Sequence, residues 1–415
     1  IDFFDHFVFL KMMHLLPSSM GLQTIYRIRP VVLVVMWFLF VTSVLQAGGE
    51  LRRPFQGIRN LGMGNVGVAM SHDENALFYN PAGLAAVDTT IVSIPFVNEV
   101  SKDTLSLTSQ VAKLGSDSTT ADTVALALGK QIHYRNMTAL NVIIPFGSLM
   151  TFGAAAGLET TIDLSASNPV GIQFNYGMRL DQIYNIGGGF NLGRGRWLIG
   201  VNVEKYKRCD YPVKTVAMST LLNSSNIASD VGFCKTDLMR DGQTYGFGFQ
   251  NRMSSFSTLR MVWGMSVRNL GGLKFARKDN ETNPLDQKAE YNIGIAMTPF
   301  DSMLFRNFYE IDIRDLTFDH SDDAYCTANK NSSDCNMKRI HIGTEFGFWP
   351  IDSGASALAL RLGWNQGYVS QGLEINPLIF FRGLSIQYAD YKVETGNSAG
   401  DKPERRRTLQ VNLGF

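Results

Sequence analysis

Hydrophobic and polar residues alternate at every second position in a long series of segments within residues 89–415. In residues 338–348 the even positions are mostly apolar, whereas the odd positions include His341 and Glu345. A period of two places successive side chains on opposite faces of a β-strand. Each segment therefore predicts a strand with one apolar face and one polar face.

Fifteen segments fit this pattern. They lie at residues 89–97, 132–145, 149–160, 170–180, 182–192, 196–207, 242–251, 257–268, 289–299, 303–313, 338–348, 355–365, 369–376, 380–391 and 405–415. Single-chain barrels of bacterial outer membranes have an even number of strands, so we expect fourteen strands. We place the surplus segment between Ser148 and Leu192, where one segment belongs to a longer, bent strand. The pattern predicts an all-β fold, a transmembrane antiparallel β-barrel with its polar faces towards the lumen, because charge is costly against lipid.

A soluble β-sandwich also alternates, but two features favour the barrel. Leu409 and Leu413 share one face of the last strand with the terminal Phe415. A terminal aromatic residue in this register resembles the signal read by the barrel-assembly machinery of outer membranes, which is therefore an expected partner. Aromatic residues near strand ends suit interfacial girdles. They are Tyr206, Phe300, Phe348, Trp349, Tyr388 and Tyr391.

The connections between strands alternate in length. Counting back from Phe415 predicts short turns at one end of the barrel and long insertions at the other. Short periplasmic turns and long outer loops are typical of outer-membrane barrels. The predicted turns are 377–379, 349–354, 300–302, 252–256 and 193–195, and the predicted outer loops are 392–404, 314–337, 269–288 and 208–241.

One apolar stretch, residues 31–45, precedes all of the strands. It is shorter than the roughly 20 residues that cross a bilayer, which leaves an anchor helix as the weaker alternative. Arg27 and Arg29 precede it and the small residue Ala47 follows it, which is typical of a cleavable secretory signal. We interpret residues 1–47 as upstream residues and a signal peptide, and expect export to the bacterial outer membrane.

Composition excludes two classes of function. The chain has 38 Lys and Arg against 37 Asp and Glu, so we expect no nucleic-acid-binding surface. No Ser/His/Asp or HExxH spacing supports catalysis, and we expect neither an enzyme nor a cofactor. Glu310, Asp312 and Asp315 are instead interpreted as part of a charge network in the lumen.

Four cysteines follow the signal, at Cys209, Cys234, Cys326 and Cys335. An even count in an exported protein favours disulfides. Each neighbouring pair falls in one polar insertion, so we expect local bridges, 209 with 234 and 326 with 335, both in outer loops. A zinc site is the alternative, but there is no CxxC spacing and no adjacent His, and we expect no metal.

Residues 48–88 do not alternate and come before the first strand. Such a segment lies either in the periplasm or inside the barrel, and a fourteen-stranded lumen is wide enough to need filling. Residues 62–67 match the dinucleotide fingerprint GxGxxG, but the preceding strand and the βαβ unit which that motif needs are missing. We interpret these glycines as tight turns.

A longer motif in the same region is more informative. Residues 57–69 and 73–84, above all the core Tyr79-Asn80-Pro81-Ala82-Gly83-Leu84, resemble the N-terminal hatch of the FadL-type outer-membrane transporters. The resemblance implies a hatch, or plug, of residues 48–88 in the lumen of a barrel of residues 89–415. PorV-like secretion barrels and TraF-like proteins share the Asn-Pro-Ala-Gly signature, so the motif indicates the fold more strongly than the cargo.

The resemblance implies outer-membrane transport of hydrophobic compounds, such as long-chain fatty acids, with hatch gating and lateral release. Outer-membrane lipid and a hydrophobic small-molecule ligand are then the expected partners. The implied gating residues are Asn80, Pro81, Ala82, Gly83 and Leu84; the ligand-pocket candidates are Leu77, Phe78 and Tyr79; and the lateral-opening candidates are Gly153 and Gly157, on the third strand. Small residues there would suit an inward kink, although ordinary lumen-facing or bulge residues are the alternative.

Two alternatives stay open. The barrel could serve as a PorV-like or TraF-like component of secretion or assembly, in which the plug supports a partner protein. The insertion at 98–131, with scattered apolar residues, is either an outer helical lid or a decorated loop.

Overall fold

The computed structural model describes residues 55–111, 126–167, 173–217, 234, 238–253, 259–278, 283–317, 336–351, 355–377, 383–394 and 403–414. The predicted signal (1–47), Cys326, Cys335 and Phe415 lie outside these residues, so what the sequence indicates for them stays a prediction.

Across the described residues, fourteen antiparallel strands form a closed barrel, as predicted. The strands are β1 (Ile91–Ser101), β2 (Gln131–Phe146), β3 (Met150–Ser167), β4 (Gln173–Leu192), β5 (Trp197–Ala217), β6 (Arg240–Arg252), β7 (Val262–Phe275), β8 (Glu290–Asp301), β9 (Phe305–Ile313), β10 (Ile340–Pro350), β11 (Ser356–Asn365), β12 (Tyr368–Ile375), β13 (Leu384–Glu394) and β14 (Pro403–Gly414). Each pairs with its neighbours in chain order, and β1 closes the barrel against β14, with Ser93 opposite Gly414.

The surplus segment of the sequence pattern belongs to β4. This single strand covers both of the segments predicted at 170–180 and 182–192. Its register with β5 shifts between Tyr176 and Met178. A β-bulge of this kind bends a strand locally, so the error lies where it was expected and has the expected cause.

The polar faces point into the barrel. On β10, His341 and Glu345 are buried, whereas Ile342 and Phe346 occupy the outward positions and are only partly buried. Exposed large apolar side chains occur on the outer faces of β1 to β8 and β11 to β14. They include Phe96, Leu140, Phe152, Ile186, Val201, Tyr245, Met265, Ile295, Leu360, Val369, Ile386 and Leu409. This apolar exterior exceeds the patches that soluble monomers expose, and it suits contact with lipid.

Two expectations about the outer half of the barrel are wrong. Cys209 lies in β5 and not in a loop, because β4 and β5 stay paired as far as Gln173 opposite Ala217. Tyr206 and Tyr391 are buried and do not belong to a girdle. They fall on inward positions of their strands, and the Tyr206 hydroxyl donates to Glu204 inside the lumen.

The helices lie before β1 and after it. The first group is α1 (Ile58–Gly62), α2 (Ala76–Tyr79) and a 3-10 helix (Pro81–Ala86). A further helix, α3 (Lys102–Val111), lies in the insertion between β1 and β2, and its role as a lid stays a prediction. No helix in the described part of the chain has the length and hydrophobicity needed to cross a membrane.

Candidate functional site

Residues 55–88, called here the inner segment, lie against the lumen-facing side of the barrel wall. Their hydrogen-bond partners come from around the circumference. They include Glu159 of β3, Asn185 of β4, Asn202 of β5, Glu310 and Asp312 of β9, Glu345 of β10 and Ser370 of β12. The residues that carry the hatch resemblance therefore meet the polar face that strand alternation turns inward.

Two carboxylates of β9 hold the backbone of the inner segment. Asp312 Oδ2 accepts from the N–H groups of residues 67 and 68, at 2.8 and 3.1 Å. Glu310 Oε1 accepts from the N–H groups of Ala69 and Met70, at 2.6 and 3.2 Å. Both side chains are fully buried, and a buried N–H group left without an acceptor costs about 1–3 kcal/mol. Four consecutive backbone donors are thus satisfied by two side chains of the wall.

The neighbouring strand adds a second ionic contact. Arg59 of α1 donates from Nε and from its second terminal nitrogen to the two carboxylate oxygens of Glu345, each at 2.9 Å. Its remaining terminal nitrogen donates to Asp73 at 2.8 Å. Arg361 donates to the same Glu345 from Nε at 2.7 Å, so this carboxylate is shared by two guanidinium groups. We call Glu310, Asp312 and Glu345, with their partners in the inner segment, the charged clamp.

The opposite side of the inner segment meets small and uncharged groups. Gly189 and Gly187 of β4 have no Cβ atom. A Cβ atom at Gly189 would lie 2.5 Å from the backbone nitrogen of Ala85, and one at Gly187 would lie 2.9 Å from Leu77 Cδ2. Asn185 and Asn202 each donate to the Leu77 carbonyl at 3.0 Å. Only glycine leaves room for so close an approach of the backbone. We call Asn185, Asn202 and the lumen-facing glycines of β3 to β5 the neutral face.

The five predicted gating residues come together in one turn. Asn80 Nδ2 donates to the Val68 carbonyl at 2.5 Å, and its Oδ1 accepts from the Ala82 N–H at 3.1 Å. Pro81 starts the 3-10 helix, where its missing N–H costs nothing. Leu84 is fully buried against the neutral face. The Asn-Pro-Ala-Gly core therefore builds the turn that presses residues 77–84 onto β4 and β5, and its part in gating stays a prediction.

The predicted pocket residues pack within the inner segment and against the wall. Phe78 stacks on Phe55 with ring centroids 3.7 Å apart, and the Tyr79 hydroxyl donates to Asn65 Oδ1 at 2.6 Å. Leu77 fills the space left by Gly187. All three side chains are buried, and their contact with a ligand stays a prediction.

An apolar cluster that the sequence reading missed lies beside these residues. Phe55, Leu61 and Leu77 of the inner segment join buried side chains on the inward positions of the wall. The wall members include Val97, Met137, Ile143, Ile183, Leu273 and Phe275. We call this set the apolar lumen cluster. In the sequence these wall residues are single apolar residues at positions where the strand is otherwise polar. Alternation alone gives no reason to single them out.

The lateral-opening candidates lie in a continuous wall. A Cβ atom at Gly153 would lie 3.0 Å from Leu84 Cδ2, so this position faces the inner segment. Gly157 faces Ala139 across the β2 pairing. β3 pairs with β2 and with β4 at both positions without a register shift, so an opening there stays a prediction.

Two residues of the inner segment have shifted pKa values. Burial, together with nearby Asp73, raises the pKa of Glu74 to about 8. Burial, together with Arg252 and Arg59, lowers the pKa of His72 to about 3. At neutral pH we therefore expect Glu74 to be largely protonated and His72 to be neutral.

One predicted disulfide is confirmed. Cys209 and Cys234 are bonded, with their Cα atoms 5.7 Å apart. The bridge excludes zinc coordination by this pair, because bonded sulfurs are not thiolate ligands.

No protein-family model and no curated protein matches the sequence. Solved structures are similar in overall architecture. The toluene transporter TodX of Pseudomonas putida is 12% identical, with a TM-score of 0.48, over 89% of this chain and 99% of that chain. The toluene transporter TbuX of Ralstonia pickettii is 11% identical, with a TM-score of 0.46, over 86% of this chain and 97% of that chain. A FadL homologue of Pseudomonas aeruginosa is 9% identical, with a TM-score of 0.47, over 89% and 99%. At such identities the likeness concerns the overall fold alone.

Proposed function

We propose that this chain conducts hydrophobic compounds across the bacterial outer membrane through a barrel that the inner segment closes. The apolar lumen cluster carries the proposal, because it joins the inner segment to the wall within a lumen that is otherwise lined by charged groups. An acyl chain gains about 0.8 kcal/mol for each CH₂ that it buries, so an apolar solute favours this part of the lumen over a wet polar pore.

The two sides of the inner segment support a gating movement. The neutral face holds residues 77–85 through apolar contacts and uncharged amides, whereas the charged clamp holds residues 67–70 through carboxyl oxygens and Arg59 through an ion pair with Glu345. Because the Arg59–Glu345 bonds are charge-assisted and two side chains of β9 satisfy four backbone donors, we expect the segment to leave the neutral face first and to stay attached at the clamp. The path opened in this way would run along β3 to β5, next to the apolar lumen cluster.

The finer part of the proposal concerns cargo and exit. A long-chain fatty acid or a ligand of similar apolar character would suit the cluster, and release into the bilayer would need a local opening of the wall. Gly153 and Gly157 are the candidates for this opening, because small side chains allow a strand to kink. The apolar exterior of β2 to β4 would receive the ligand.

An engineered disulfide tests the gating movement. A Cβ atom at Gly153 would lie 3.0 Å from Leu84 Cδ2, and the three atoms nearest to it would all be side-chain atoms of Leu84 and Leu77. Leu84→Cys with Gly153→Cys therefore locks the neutral face, and the two single variants are the matched controls. We expect the bridge to abolish uptake of a fluorescent fatty acid by cells, the single variants to retain it, and a reductant to restore uptake in the double variant.

The unaltered chain with and without the reductant controls for the native Cys209–Cys234 bridge. Equal uptake in the oxidised double variant and in the single variants would contradict the gating proposal. Deletion of the gene with no loss of fatty-acid or aromatic-hydrocarbon uptake, together with a purified barrel that retains no apolar ligand by mass spectrometry, would contradict transport itself. That result would leave the secretion or assembly role as the better reading of the hatch motif.

A further inference from the structure

Exposed arginines mark one sector of the short-turn end of the barrel. Arg194 and Arg196 lie in the turn between β4 and β5, and Arg252 ends β6. Two of the other short connections are uncharged: residues 147–149 are Gly-Ser-Leu and residues 302–304 are Ser-Met-Leu. Within the described part of the chain, most exposed basic side chains at this end therefore lie beside β4 to β7.

The fold holds these arginines side by side. The Arg252 N–H donates to the Arg196 carbonyl at 3.0 Å, which joins the two connections. The Arg252 guanidinium lies over Gly195, 3.6 Å from the place a Cβ atom would occupy. Among the described residues, Arg194, Arg196 and Arg252 form no ion pair. Arg260, at the start of β7, differs because it pairs with Asp301. The Arg194 and Arg196 guanidinium groups thus share one surface without a carboxylate to neutralise them, whereas Arg252 lies near His72 of the inner segment and supports the turn from behind.

An aromatic surface continues from these arginines along the outer wall. Trp197 lies 5.6 Å from Phe249, and Phe249 lies 5.0 Å from Trp263, between ring centroids. The Arg196 guanidinium lies 5.5 Å from the Trp197 ring. Indole rings on a barrel exterior occupy the boundary between acyl chains and headgroups. The arginines, one residue nearer the end of the barrel, then reach the depth of the phosphate groups.

We propose that this surface, the arginine–tryptophan patch of Arg194, Arg196 and Trp197, binds the headgroup of an anionic phospholipid in the periplasmic leaflet. The planar guanidinium matches a phosphate with two parallel hydrogen bonds, and clustered basic residues at a membrane surface attract lipids with a net negative charge. The aromatic row offers the acyl chains a flat apolar surface. The proposal rests on the membrane placement of the barrel and is independent of its cargo.

Tryptophan fluorescence provides a test with an internal control. Trp349 lies at the same end of the barrel, beside the apolar residues Pro350 and Ile351, and is 57% exposed. Two single-tryptophan variants of the full chain, one keeping Trp197 and one keeping Trp349, are reconstituted into phosphatidylcholine vesicles. Each then receives brominated phosphatidylglycerol or brominated phosphatidylcholine, which quench a tryptophan in contact with them.

We expect quenching of Trp197 to need a fraction of brominated phosphatidylglycerol that is roughly fivefold lower, or lower still, than the fraction of brominated phosphatidylcholine. We expect Trp349 to show no preference between the two lipids. In the Trp197 background, Arg194→Gln with Arg196→Gln should remove the preference. Arg405→Gln with Arg407→Gln, at the long-loop end, should leave it intact. Equal quenching of Trp197 by the two lipids, or a preference that survives the first double variant, would overturn the patch. Quenching of neither tryptophan by either lipid would instead overturn the membrane placement, and the proposed transport with it.

Discussion

The two sides of the inner segment are held by different chemistry. At the charged clamp, Glu310 and Asp312 each accept from two buried backbone N–H groups. At the neutral face, glycines let Leu77 and Leu84 approach the wall, and the polar contacts there are uncharged amides. The clamp adds directional bonds to close packing at Gly343 and Gly363, whereas the neutral face depends on close packing and uncharged amides alone. A segment held in this way can detach from one side while remaining attached to the other.

The largest effect is expected from Asp312→Ala. This change removes the acceptor of two buried N–H groups, and each unsatisfied group costs about 1–3 kcal/mol, so we expect docking of residues 67–70 to weaken by about 3–5 kcal/mol. Hydrogen–deuterium exchange at residues 67–70 and ion conductance in planar bilayers should both increase. Asp312→Asn is the matched control, because it keeps an acceptor oxygen and should lose less. Unchanged protection in Asp312→Ala would show that the clamp does not hold the segment.

A smaller effect on docking, with a different functional result, is expected from Leu77→Ala. Loss of a buried leucine side chain costs about 2–4 kcal/mol through lost burial and the cavity left behind. Because the clamp remains intact, we expect exchange to increase at residues 76–84 but not at residues 67–70, and uptake of an apolar ligand to rise without ion leakage. Faster exchange over both regions at once would mean that the segment moves as one rigid unit.

A single methyl group at the neutral face should also weaken docking. Gly189→Ala places a Cβ atom against the backbone of Ala85, and such overpacking costs about 1–3 kcal/mol. Gly188→Ala is the neighbouring control, since its Cβ atom would meet Phe152 and the Thr151 carbonyl oxygen at ordinary distances of 3.7 and 3.9 Å. Protease sensitivity of the inner segment should rise in the first variant alone. Equal protease sensitivity in the two variants would contradict the claim that close backbone approach at Gly189 holds the inner segment.

The smallest effect is expected from a change of about one pH unit near neutrality, because only part of the proton release from Glu74 falls within it. The pKa of Glu74 is raised from its ordinary 4.5 to about 8 by burial and by Asp73, with a further contribution from Glu374 and an opposing one from Arg59. The docked form therefore binds more protons than the free segment between these two values, so docking should weaken as pH rises through that range. Glu74→Gln should flatten this dependence in exchange measurements at residues 70–76. The same slope in the variant would assign the pH dependence to another group.

Strand alternation was enough to predict much of this molecule, and particular residues show where its reach ends. It identified an all-β barrel, because a period of two separates lipid-facing from lumen-facing side chains whatever their partners are, and the even strand number of such barrels reduced fifteen segments to fourteen strands. It also placed Glu310 and Asp312 in the lumen. The girdle prediction failed at Tyr206, which stands in the inward phase of its strand. The loop prediction failed at Cys209, because the length of β5 depends on its pairing with β4, and no local pattern records where that pairing stops.

What the sequence by itself determined, then, is which side of the wall each residue faces, since the geometry of a strand settles that locally. What only the tertiary structure decided is which inward residues meet the inner segment. Glu310 accepts from Ala69, 241 positions earlier in the chain, and Gly189 is small because Ala85 lies against it. Such contacts depend on the register between a non-repetitive segment and a closed barrel. Loop closure and packing set that register together, so it exists only in the folded molecule.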